Sequence, residues 1–185
     1  MKKIKGQYFL LSSFFLILIF YLGISAYLHN IGLTRPDYEF QNFIENVKNE
    51  YPRAFNLGLN NSMPIETLYN FTIWCKEISE NRGINLKILW IVTWNVSEDL
   101  NVTVGNFMGY KENLTIEISG EKKDIVIDDG KINSLFFEEP PSNFSLKINF
   151  NTKEKNVILE KHKFNIYLFL EAEKNGDKIV EEIKA

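Results

Sequence analysis

The chain has one cysteine, Cys75, and two histidines, His29 and His162, among 185 residues. A lone cysteine closes no intramolecular disulfide, so stability has to come from packing. Two histidines, one of them held between Lys161 and Lys163, leave little for acid–base or metal chemistry. The chain also lacks HExxH, CxxC, GxSxG and any glycine-rich phosphate loop. It therefore reads as a non-enzyme with no catalytic residue, no cofactor and no metal site. Asp128-Asp129-Gly130 is turn chemistry, because the spaced oxygen ligands of a calcium loop are missing around it.

Basic charge is scarce where a nucleic-acid protein would need it. Setting aside Lys2, Lys3 and Lys5 leaves 18 basic against 24 acidic residues beyond the amino terminus, about six net negative charges. That balance excludes nucleic acid as a partner and argues against adhesion to an anionic membrane surface.

Long apolar character is present in one place. Tyr8 to Leu28 is 21 residues without a charge, which as a helix spans the roughly 30 Å hydrocarbon core of a bilayer. It exceeds a usual secretory apolar core, although Ile24-Ser25-Ala26 offers a small-residue cleavage site. Residues 8–28 are therefore expected to be a retained transmembrane helix in contact with membrane lipid. Residues 1–7 form a cytoplasmic basic stub, since the lysines lie on that side and the next basic residue is Arg35. Everything after about residue 30 is expected outside the cell membrane.

The exported part divides by hydrophobic period. Over residues 29–83 the spacing is helical: Phe40, Phe43, Ile44, Val47 and Tyr51 line one face of a helix that starts near Pro36-Asp37 and should end at Pro52. A second helix should run from Pro64 to about Asn81, capped by Asn61 or Ser62 and closed by Arg82-Gly83. Cys75 shares its face with Ile65, Leu68, Phe71 and Ile78, which makes it a small buried hydrophobe.

From residue 84 to 185 the period is two. Leu114, Ile116 and Ile118 alternate with polar residues, as do Phe144, Leu146, Ile148 and Phe150. About eight strands are expected, near 85–96, 101–108, 113–119, 123–128, 131–137, 143–150, 157–172 and 177–183. Turn signals such as Asp129-Gly130 and Asn175-Gly176 separate them. The segment from Phe164 to Leu170 is apolar on both faces, which marks a central strand. The class is α+β: a transmembrane helix, amphipathic helices, then an antiparallel β-sandwich.

Two features point to function. Asn-x-Ser/Thr occurs at Asn60, Asn70, Asn95, Asn101, Asn113 and Asn143, where random placement of 21 Asn and 17 Ser plus Thr gives about two matches. In an exported chain these are acceptors for N-linked glycan. Strand alternation predicts that Asn101, Asn113 and Asn143 point outward. Trp90 and Trp94 share a strand face with Leu86, Ile88 and Val92; two indoles on one exposed face would stack on a sugar, whereas among aliphatic neighbours they would be core.

Lys5-Gly6-Gln7 ahead of the apolar run resembles the archaeal class III signal peptide of type IV pilin-like proteins. The resemblance covers about 25 residues. It implies cleavage between Gly6 and Gln7, packing of the apolar helix into a filament core and display of the remainder. Phe9 and Leu11 stand at the third and fifth positions from Gln7, where that family carries Ser and Glu. Because the Glu neutralises the neighbouring subunit's amino terminus, the resemblance implies a minor pilin-like subunit or a simply anchored protein. The function expected is thus a single-pass extracytoplasmic protein with a structural or interaction role at the envelope, its partners being other envelope proteins or a pilus-like assembly. The alternative is a tethered carbohydrate-binding module or surface enzyme using Trp90 and Trp94.

Overall fold

Seven apolar or small residues at spacings of three and four make the stripe that drives the first helix. In the computed structural model, which describes residues 19–21, 24, 37–150, 153–161 and 163–184, this helix, α1, spans Tyr38–Asn60 and buries Phe40, Phe43, Ile44, Val47, Tyr51, Phe55 and Gly58. Residues 19–21 and 24 are helical. The remainder of the 8–28 run, with Gly6, Gln7 and His29, lies outside the described residues. Among the described residues no helix is long and apolar enough to cross a membrane.

Pro52 does not end α1, contrary to the sequence expectation. The helix continues to Asn60. An interior proline forgoes one backbone hydrogen bond and costs about 3 kcal/mol. Beyond it, however, Phe55 keeps the stripe in register at 4% exposure, and burying such a side chain returns roughly 1.5–3 kcal/mol. Gly58 then lets the next helix approach: a Cβ there would lie 2.6 Å from the Pro64 Cα.

The second helix, α2, spans Pro64–Asn81. Its N-cap is Met63, with no side-chain cap, so neither Asn61 nor Ser62 caps it. Ser62 has φ +60°, and the junction is held by backbone bonds instead, Met63 N–H to Gly58 O at 2.8 Å and Ser62 N–H to Leu59 O at 3.1 Å. Pro64, which has no N–H to satisfy, occupies the start, and Glu66 sits in the positive first turn. At the other end Gly83 adopts φ +67°; its N–H bonds Glu80 O, and Ile84 N–H bonds Ser79 O. That is a Schellman ending, as Arg82-Gly83 led one to expect.

The rest is strand: β1 Asn85–Val96, β2 Asp99–Phe107, β3 Glu112–Ile118, β4 Glu121–Ile127, β5 Lys131–Phe137, β6 Asn143–Phe150, β7 Lys153–Glu160, β8 Asn165–Lys174 and β9 Asp177–Lys184. Two antiparallel sheets result, one ordered β5-β2-β1-β8-β9 and the other β4-β3-β6-β7. The single strand expected over 157–172 is two strands in different sheets. Between Glu160 and Asn165 the chain crosses over, and the Asn165 amide secures the crossing by donating to Glu160 O, Lys163 O and Thr93 Oγ1. β8 lies inside its sheet, between β1 and β9, as its two apolar faces required.

One core lies between the sheets, where Leu89, Val102, Val104 and Phe169 meet Ile116, Leu146, Ile148 and Val157. A second lies on the other face of the five-stranded sheet, where Ile88, Trp90, Leu168 and Leu170 meet Phe40, Val47, Tyr51 and Leu68. The five-stranded sheet is therefore covered on both faces, and β1 is buried at six consecutive residues. The four-stranded sheet keeps one face in water and retains strict alternation in β3 and β6. Helices and strands belong to one compact unit, Glu39–Ala185. The open sides of the two-sheet stack are closed by Lys155–Glu182 at 2.7 Å, and by Lys123, which lies 4.8 Å above the Phe137 ring and donates to Phe136 O.

Candidate functional site

Trp90 and Trp94 are four residues apart on β1 and point to the same side of the sheet, yet they meet different surroundings. Trp90 has no exposed surface. Its ring stacks on Phe107 at 6.4 Å, its Nε1–H donates to Thr72 Oγ1 at 3.2 Å, and Gly105 opposite makes room for it. A Cβ on Gly105 would come within 2.3 Å of the indole. Trp90 is thus a core residue and takes no part in a binding surface.

Trp94 lies near the end of β1, where the helical cover stops at the α1–α2 junction. It is half-buried and stacks on Phe164 at 6.4 Å with 20° between the rings. Phe164 is 48% exposed and meets Phe55 edge-on at 6.3 Å. With Leu59, Ser62, Met63, Pro64, Ile65 and Glu66, these two rings line an open concavity of about 670 Å³. Met63 is 56% exposed at its rim. The lining is apolar apart from Ser62 and Glu66, so it suits the flat apolar face of a sugar or an apolar side chain. Sequence reasoning found Trp94 but missed Phe164, Leu59, Met63 and Ile65, which come together only through the crossover and the helix junction. An unexplained apolar pair at a helix start, Met63-Pro64, was the available signal.

Two further hollows are more polar. One of about 460 Å³ lies between Glu39, Asn42, Asn46 and Arg82, whose guanidinium sits 5.0 Å over the Phe43 ring. The other, about 410 Å³, is spanned by the Lys48–Glu181 ion pair at 2.6 Å. Among the described residues no three His, Cys, Asp or Glu side chains converge as metal ligands. Asp128 pairs with Lys111 at 3.4 Å, and Asp129 Oδ1 accepts the Gly109 N–H at 2.8 Å, so both tie the β4–β5 turn to the loop between β2 and β3. Cys75 is fully buried, and burial pushes its thiol up to about 12. Glu112, at 4% exposure, has its carboxyl raised by burial. His162 lies outside the described residues.

The six sequons separate by environment. Asn60, Asn70, Asn113 and Asn143 are exposed, Asn95 is half-buried, and Asn101 is buried at 7% exposure. The expectation that Asn101 points outward is therefore corrected. Its strand belongs to the sheet covered on both faces, and in the register it stands between Trp94 on β1 and Phe136 on β5. Asn113 and Asn143 lie on the wet face of the four-stranded sheet, where the alternation argument holds. Compared with known proteins, the chain matches no family model and no curated protein sequence.

Proposed function

We propose that this is a single-pass membrane protein that displays its helix-backed, two-sheet domain outside the cell membrane and has a structural or interaction role at the envelope. The observation that carries the reading is the 21-residue uncharged run behind Lys2, Lys3 and Lys5, which is long enough to span a bilayer and has its cations on one side. The acidic balance of the remainder suits exposure to water beside an anionic membrane. Membership of a pilin-like assembly as a minor subunit rests on Gly6-Gln7.

A tethered sugar-binding module is the second reading, favoured by the open Trp94–Phe164 stack, though with Trp90 in the core it rests on one indole. Protease treatment of intact cells and of lysed membranes tests the display: the domain is expected to be cut from outside while the protein stays in the membrane fraction. Mass spectrometry of the amino terminus then separates Gln7, expected for prepilin-type processing, from Met1, expected for a plain anchor. A soluble chain beginning at Tyr27 would refute the anchor.

A further inference from the structure

Resting on the reading that the domain lies outside, we propose that Asn60 is the sequon modified on the folded domain and that its glycan lies over the Trp94–Phe164 groove. A sequon is read through both its asparagine and its hydroxyl, so both must be reachable. At Asn60-Asn61-Ser62 both are: Asn60 ends α1, Ser62 stands in the turn at φ +60°, both are exposed, and no described hydrogen bond engages either side chain.

The other sequons lack this openness. The Thr72 hydroxyl of the Asn70 sequon is buried and donates to Leu68 O at 2.6 Å. Thr103, two residues after the buried Asn101, is 2% exposed and bonded to Ser134 at 2.7 Å. Thr115, after Asn113, donates to Asp124 at 2.6 Å, and Ser145, after Asn143, bonds Asn156. Both of those sequons lie within paired strands. Asn95 is itself half-buried in β1.

Position decides where the sugar goes. Leu59 and Ser62, on either side of Asn60 in sequence, both line the groove, so a glycan on the Asn60 amide begins at its rim. The stacked, part-exposed rings of Trp94 and Phe164 offer the flat apolar surface on which a pyranose face packs. In the transfer, Asn60 Nδ2 attacks the anomeric carbon of a lipid-linked glycosyl phosphate. The carbon–oxygen bond to the phosphate breaks, the phosphate leaves with the electron pair, and the amide gives up one proton; a separate membrane glycosyltransferase catalyses the step.

The test uses the full chain purified in detergent from its native membranes. Glycopeptide mass spectrometry is expected to find sugar mass on the Asn60 peptide, and none on the Asn101 peptide. Asn60→Gln and, independently, Ser62→Ala are expected to remove that mass and to raise binding of an apolar fluorescent dye about twofold, as the groove is uncovered. A bare Asn60 in a chain whose domain is cut by external protease overturns this proposal and leaves the display reading standing. A domain protected in intact cells overturns both. A glycosylated Asn60 whose removal leaves dye binding unchanged refutes the covering of the groove.

Discussion

Thr72→Val removes one hydroxyl that joins both helices to the sheet. Thr72, Tyr51 and Trp90 are all without exposed surface. The Thr72 Oγ1 accepts from the Tyr51 hydroxyl at 2.9 Å and from the Trp90 indole at 3.2 Å, while donating to Leu68 O at 2.6 Å. Burial holds the Tyr51 phenol well above its ordinary range, so it remains a donor at any working pH. Valine keeps the shape and leaves two buried donors without an acceptor. At about 1–3 kcal/mol for each orphaned group, the loss should be about 2–4 kcal/mol after partial relaxation. Thr72→Ser keeps the hydroxyl and loses a methyl, and should cost only about 1 kcal/mol. It also retains the Asn70 sequon, which separates any glycan effect from the hydrogen bonds. Urea unfolding of the full chain in detergent, followed by tryptophan fluorescence at constant m-value, measures the series. Tyr51→Phe alone should cost about 0.5–1.5 kcal/mol, but in the Thr72→Val background it should stabilise by about 1 kcal/mol, because it removes a buried donor already left without an acceptor. A Thr72→Val loss below about 0.5 kcal/mol, or strictly additive effects of the two substitutions, would refute the hub.

Gly105→Ala should destabilise the chain by about 3 kcal/mol or prevent folding, since its methyl would enter the Trp90 ring at 2.3 Å; the same unfolding curve measures it, and adding Trp90→Leu should recover part of the loss. For Glu112 the sign follows from burial. Its folded pKa lies above the ordinary 4.5, so its contribution is fully present below the unfolded value and is lost as pH rises through the folded one. Glu112→Gln should then be at least as stable as the parent near neutral pH, and should flatten the fall in stability as pH rises above the ordinary 4.5. A less stable variant with an unchanged profile would contradict this.

Much of the fold was legible because its cause is local. Period-three-and-four spacing marked both helices, Gly83 marked an ending, and period two marked the strands of the wet sheet, where Leu114, Ile116 and Ile118 alternate with polar neighbours. Reasoning from the sequence failed where two layers meet. Pro52 looked like a stop because its local cost is plain, while the partners of Phe55 lie elsewhere in the chain. Residues 157–172 read as one strand although the charged stretch Glu160-Lys161-His162-Lys163 interrupts them; that the chain changes sheets there depends on pairing partners elsewhere in the sequence.

The candidate site divides the same way. Composition and order alone set the uncharged 21-residue run, its flanking lysines, the six sequons and the shared face of Trp90 and Trp94. Only the tertiary structure decided which of them meet water. Two indoles on one strand face became a core residue and a groove residue because the helical layer ends between them. Asn101 went inside because its sheet is covered twice, whereas Asn113 and Asn143, on a sheet covered once, stayed outside. A strand's period determines which residues share a face; what packs against that face depends on chain segments tens of residues away, and no local pattern carries that information.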